Sequence, residues 1–255
     1  MKKILALAVV CVMALALVAC DGDLPAQTTD APETTVAPVT TEAPVTTEAP
    51  AAKVMSYAEY DAAELDSAVV IEAYVQAHQS WWDNKITVYA QDEDGAYFLY
   101  EMACSEEDAA KLVPGTKIRV SGYKAAWAGE VEIVDATFEI IEGNYVAEAM
   151  DATALLGTDE LIKHQNKFVS FKGMTIEKIE FKNGEPGDDI YVTVGYNGAS
   201  YGFCVERYLT GPETDVYKAV QALNVGDVVD IEGFLYWYEG VNTHITGVTV
   251  AVDEK

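Results

Sequence analysis

The sequence predicts a mainly β fold built from two copies of one small barrel, set behind a leader and a stalk, and three observations predict it. Gly115, Gly122 and Gly129 lie seven apart, and Gly226, Gly233 and Gly240 repeat that interval 111 residues later. Each copy reads as an alternating apolar strand, a glycine, an aromatic-rich connection, a second glycine and another strand. That offset suits two copies of a domain rather than a solenoid. Runs rich in β-branched residues are punctuated by Asp-Gly and Asn-Gly, the dipeptides of tight hairpins. Finally, the composition changes twice before the first strand begins.

Those changes mark the N-terminal segments. Lys2 and Lys3 precede an apolar run from Ile4 to Ala19, the charge and length of a signal peptide. It is shorter than the roughly 20 apolar residues of a plain transmembrane anchor. Leu17-Val18-Ala19-Cys20 looks like a bacterial lipobox. That resemblance implies cleavage before Cys20, a diacylglycerol on its thiol, and a membrane anchor on the extracytoplasmic face. Residues 20–52 form a Thr/Pro/Ala/Glu tract holding five of the chain's eight prolines. Such a tract has nothing to bury and reads as a disordered, extended stalk.

Residues 53–142 form the first expected domain. Ser56 and Glu59 have capping-box spacing and open a short helix running to about Leu65. Strands follow at Ala68 to Gln76, Ile86 to Gln91 and Ala96 to Met102, the last two joined by Asp92-Glu93-Asp94-Gly95. Ser105 heads a helix that stops by Pro114, and strands at Thr116 to Gly122 and Glu130 to Ile141 complete the unit. Residues 144–252 form the second. Short helices over Asp151 to Asn166 precede a long strand at Phe168 to Phe181, with a bend at Gly173. A hairpin turns at Asn197-Gly198, a helix spans Pro212 to Leu223, and strands at Asp227 to Tyr236 and Thr243 to Val252 close the unit.

The order β-β-β-α-β-β, with glycines bounding strand four, resembles the OB-fold. On WWDNKITVYAQDEDGAYF, VPGTKIRVSGYKAAWAGEVEI and VGDVVDIEGF it is similar to the OB-like domains of cell-surface lipoproteins of Gram-positive gut bacteria. The resemblance implies two tandem five-stranded barrels, with ligands held on strands two and three and by the loops after strands one and four.

Candidate chemistry is sparse. Cys104 and Cys204 stand one per unit at unmatched positions, and without a CxxC or Cys/His pair they read as small buried hydrophobes. Gly198-Ala199-Ser200-Tyr201-Gly202 matches the nucleophile elbow, with acids and His244 following. An elbow needs a helix after its serine, whereas Ser200 opens a strand. The carboxylates at Asp92 to Asp94 and at Asp188-Asp189 lack calcium-loop spacing. His78, His164 and His244 have no partners at ligand spacing. No metal, cofactor or catalytic residue is expected, and the chain reads as non-enzymatic.

The aromatics are more informative. Trp81 and Trp82 fall after strand one, Trp127 between strands four and five, and Tyr236-Trp237-Tyr238 in the matching connection of the second unit. Tyr74 and Tyr89 occupy the polar parity of their strands. Arg119 faces outward in strand four, where the second unit has Asp230. These residues are the candidate ligand contacts, chiefly in the first unit. A net charge of −26 repels phosphate backbones, so nucleic acid is the unlikely partner and single-strand binding the alternative reading. The expected ligand is an extracellular glycan, peptide or protein.

Overall fold

The computed structural model describes residues 53–251. The signal-peptide, Cys20 and stalk readings lie outside these residues.

Helix α1 (Tyr57–Ala62) opens the described chain, and its capping box is formed: Ser56 Oγ accepts from the Glu59 amide, while Glu59 Oε2 accepts from the Ser56 amide at 2.9 Å. Strands β1 (Ala68–His78), β2 (Lys85–Gln91) and β3 (Ala96–Ala103) lead to α2 (Glu106–Ala109), then β4 (Thr116–Trp127) and β5 (Glu130–Asn144). They close a barrel in the order β1-β2-β3-β5-β4, with β4 returning to β1. Only β3 and β5 run parallel in this ring.

The second unit repeats the scheme. After a two-residue strand β6 (Met150–Asp151) and two 3₁₀ turns come β7 (Phe168–Phe181), β8 (Ile190–Tyr196), β9 (Ala199–Val205), α3 (Asp215–Gln221), β10 (Val228–Phe234) and β11 (His244–Val250). Its sheet runs β10-β11-β9-β8-β7-β6, and β10 also pairs with β7, so the five long strands form a ring. Here too the third and fifth strands, β9 and β11, meet in parallel. The fold class is therefore mainly β with an OB-like topology. Each ring encloses its own core, centred on Ile71, Val88, Leu99 and Ile118 in the first and on Phe171, Val192, Phe203 and Ile231 in the second.

The spaced glycines have distinct causes. Gly115 and Gly226, just ahead of the fourth strand of each ring, hold φ of +92° and +97°, which side chains beyond glycine rarely adopt. Gly122 and Gly233 lie within that strand where it meets the fifth. A Cβ on Gly122 would stand 2.8 Å from Val134 O, and one on Gly233 would collide with the His244 carbonyl. Gly233→Ala is therefore expected to destabilise the chain by about 2–4 kcal/mol, measurable as a lower urea midpoint. An unchanged midpoint would mean that β10 and β11 are not held this close.

Several boundaries move. Strand four of the first unit does not end at Gly122 but continues to Trp127, because β5 pairs with it along its whole length, with register shifts at Thr116/Ile118 and Ser121/Tyr123. The helix expected from Pro212 starts at Asp215, where the Thr214 side chain caps the Tyr217 amide. The short helices expected over Asp151 to Asn166 form as two 3₁₀ turns, Thr153–Leu155 and Leu161–His164.

Candidate functional site

The ligand surface usual for the fold, strands two and three, is closed in the first barrel. The outward side chains Thr87, Tyr89, Gln91 and Phe98 are all buried. The second barrel covers them. Phe234 stacks on Tyr89 with ring centroids 4.5 Å apart, Tyr236 meets Phe98 edge-on at 5.1 Å, and the Phe168 amide donates to Gln91 Oε1 at 2.8 Å. Tyr89 Oη lies 2.6 Å from His244 Nδ1. Burial lowers the His244 pKa to about 3, so the imidazole is neutral and its Nδ1 accepts the phenol proton. His244, read from sequence only as a histidine without partners at ligand spacing, is thus a buried residue of the interface.

The loops after the fourth strands also join the barrels. The Glu239 amide donates to Ala128 O at 2.7 Å, and the Trp237 amide donates to Glu130 Oε2 at 2.8 Å. Gln165 clasps the same hairpin, donating to Gly129 O at 2.9 Å and accepting from the Val131 amide at 3.1 Å. Glu130 is wholly buried, and that burial pushes its carboxyl up to about 8.

The expected contact residues therefore fall into separate places. Tyr89, Tyr236 and Trp237 belong to the seam between the barrels. Trp127 and Tyr238 are exposed on its edge and pack on each other at 5.2 Å. Tyr74 stacks edge-on with Tyr145 at 5.4 Å, beneath Lys117 Nζ. Arg119 is committed to Glu72, donating from Nε at 3.1 Å and Nη2 at 2.8 Å. Trp81 is half-buried, its Nε1 donating to Cys104 O at 2.9 Å. Only Trp82 of the pair stands free, 79% exposed.

Trp82 borders a cleft of about 640 Å³ between the barrels. It heads a tight turn: Trp82 and Lys85 exchange backbone hydrogen bonds across Asp83 and Asn84, which take φ of 47° and 59°. The opposite wall is the segment after β9. Glu206 Oε2 accepts from the Tyr208 and Leu209 amides at 3.0 and 2.8 Å, fixing that segment. Tyr208 is 53% exposed, with Arg207 over its ring at 5.0 Å. The Ser80 amide donates to Tyr208 O at 2.7 Å and ties the two walls together. Lys85 pairs with Glu101 at 2.7 Å, while Arg207 and Lys182 both approach Asp188 Oδ1 at 3.8 Å.

A second surface lies on the second barrel. There the outward face of β8 and β9 carries Tyr191, 43% exposed, with Thr193, Ser200 and Gly202 alongside. Unlike its counterpart in the first barrel, this face stays uncovered. Ser200 Oγ donates to Glu177 Oε2 at 2.6 Å, so the elbow-like serine and His244 are engaged with different partners. Among the described residues no group of three or more His, Cys, Asp or Glu is placed to hold a metal ion.

No family model matches this sequence, and no curated protein does. Solved structures do match. One is a murine DNA-binding protein bound to double-stranded DNA, at 12% identity and a TM-score of 0.36, covering 73% of this chain and 98% of the other. Another is the Ifi202 HINa domain in complex with a 20-base-pair duplex, at 12% identity and a TM-score of 0.33, covering 72% of this chain and 98% of the other. The p204 HINb domain matches at 14% identity and a TM-score of 0.32, covering 71% and 95%.

These neighbours correct the sequence reading of function. Ranking an extracellular glycan, peptide or protein above nucleic acid does not stand against structures solved on DNA. Nor are the neighbours described as lipoproteins or extracellular binding modules. The physical reason lies in the charge argument: −26 is a sum over the whole chain, whereas a ligand meets the local potential of its site. At such identities and TM-scores the likeness concerns the barrel fold alone and assigns no residue.

Sequence reasoning missed Arg207, Tyr208 and Tyr191. A signal for Arg207 and Tyr208 exists in the pairing of a cation with an aromatic two residues past the end of strand three of the second unit. The first unit has Ser105-Glu106 at that point.

Proposed function

We propose that this chain is a non-enzymatic nucleic-acid-binding protein that holds an unpaired strand in the cleft between its barrels and along the open β8–β9 face. One observation carries the reading: two exposed rings, Trp82 and Tyr208, line one cleft with two cations, Lys85 and Arg207, while Lys182 shares Asp188 with Arg207 and Tyr191 is exposed on the open β8–β9 face. Bases stack on aromatic side chains whatever their identity, and cations between the rings track the backbone. A cleft of this kind suits separated bases better than the stacked, paired bases of a duplex.

The electrostatics set the strength. Each of the three cations has a carboxylate partner within 4 Å, so phosphates compete with Glu101, Asp188 and Asp189. Stacking therefore supplies most of the affinity. With about two or three phosphates neutralised, log K is expected to fall against log salt with a slope of only about −1.4 to −2.

The test is tryptophan quenching by single-stranded oligonucleotides, with the same sequences as duplexes for comparison. Trp82→Ala and Tyr208→Ala are each expected to cost about 1–3 kcal/mol of binding, while Trp127→Ala changes little. Binding that is absent, prefers the duplex, or survives both cleft substitutions would overturn the proposal.

A further inference from the structure

The first barrel is open along one side. β3 and β5 pair only at Phe98/Glu132 and Leu99/Ile133. Each strand then kinks at a residue of positive φ, Glu101 at 45° and Asp135 at 48°. Beyond the kinks the strands part around an open groove of about 770 Å³, lined by Ala103 at the end of β3, Asp108 of α2, and Thr137 to Ile140 of β5. Backbone groups of a strand point alternately to its two edges. On one edge β5 pairs with β4 as far as Asn144. On the other, among the described residues, no backbone hydrogen bond reaches Thr137 to Ile140. A row of donors and acceptors therefore faces the groove.

The side chains report the same opening. Ile118 and Val120 of β4 are wholly buried, and their direct partners on β5 are Ile140 and Phe138. Partners across a ladder share a face, so both belong to the core side of the sheet. Yet Ile140 is 42% exposed and Phe138 only half-buried. In the second barrel the third and fifth strands likewise meet only at Cys204/His244. There α3 packs against β11 and buries Tyr217 and Val220. Its counterpart α2 has four residues rather than seven and buries only Ala109. The short helix leaves the end of β5 uncovered.

The rim sets the charge of what fits. Asp108 and Glu139 line the groove, and Glu106, Glu107, Asp135 and Glu142 are exposed beside them in sequence. Lys111 is the one cation among the lining residues, and Glu107 and Asp108 hold it at 3.0 and 2.9 Å. We propose that this groove takes up an extended peptide segment of a partner protein, with alternating apolar and basic residues, as a further strand on the free edge of β5. Its apolar side chains lie on Phe138 and Ile140, and its cations meet the acidic rim. The groove shares no lining residue with the Trp82 cleft, so the proposal does not depend on the nucleic-acid reading.

Fluorescence anisotropy of a labelled peptide of three Lys-Val repeats, titrated with the full chain, tests it. Saturable binding is expected, with none for three Lys-Ser repeats, which keep the charge without the apolar face, or for three Glu-Val repeats. Methylating the peptide's valine amides or its lysine amides should abolish binding, because alternate amides face β5. Ile140→Lys, at an exposed position, should weaken binding about tenfold at an unchanged melting temperature, while Trp82→Ala leaves it unaltered. Equal binding of the Lys-Ser peptide would reduce the interaction to the acidity of the chain. Full binding by both methylated peptides would exclude an added strand, and loss of binding in Trp82→Ala would place the peptide in the other cleft. Any of these results, undiminished affinity in Ile140→Lys, or no saturable binding would overturn the proposal.

Discussion

Glu130→Gln is expected to stabilise the folded chain by on the order of 3–5 kcal/mol at pH 9 and to change it little at pH 4. The sign follows from the two states of the carboxyl. Burial at the seam pushes the folded group up to about 8, whereas in the unfolded chain it titrates near about 4.3. Between these values the folded state holds a proton that the unfolded state has released. Stability from this group is therefore intact below about pH 4 and is lost as pH rises toward 8. Glutamine keeps the acceptor for the Trp237 amide and cannot ionise. Its amide also brings donors to a region where Asn166 Oδ1 is unpaired. Urea unfolding at pH 4, 6, 8 and 9 checks the prediction. A difference between variant and parent that does not grow with pH would refute the assignment of Glu130 as the group responsible.

Phe234→Ala should have the second large effect, a loss of about 3–5 kcal/mol. Phe234 stacks on Tyr89 from the first barrel, packs against Phe168 at 5.4 Å, and is buried with Phe98 in a cluster distinct from both barrel cores. Removing it hollows the seam and leaves the two cores intact. Calorimetry should then show two unfolding transitions where the parent shows one. A small loss with a single transition retained would mean that the hydrogen bonds across the hairpins, rather than the ring stack, couple the barrels.

The barrels were legible because their determinants are local. Ser56 and Glu59 cap a helix three residues apart, Asn197-Gly198 turns a hairpin, and Gly115 and Gly226 mark the same backbone need 111 residues apart. The seam was not legible, because nothing local distinguishes a covered sheet face from a solvated one. Tyr89 sits at polar parity in β2 and reads as an exposed ring. It is buried only because Phe234 and His244, some 150 residues away, come to meet it. Glu130 reads as the first polar residue of an alternating strand, yet Trp237 from the other barrel closes over it. The extension of β4 to Trp127 went unread for a related reason: Lys124-Ala125-Ala126 has weak strand propensity, and its conformation is imposed by pairing with β5. Of the candidate contacts, Trp81 and Trp82 are brought to the cleft, Trp82 as the exposed one, and their companions came from a segment without a recognisable motif.

The covered sheet face also decides how the chain can be handled. Cutting between the barrels, near Gly143, would leave one fragment displaying Tyr89 and Phe98 and the other displaying Phe168, Phe234 and Tyr236, all now packed together. A β-sheet face rich in exposed aromatics invites self-association. The halves would also lose the opposing walls of the cleft, Trp82 on one and Tyr208 on the other. The two barrels are thus solvents for each other, and each keeps the other soluble.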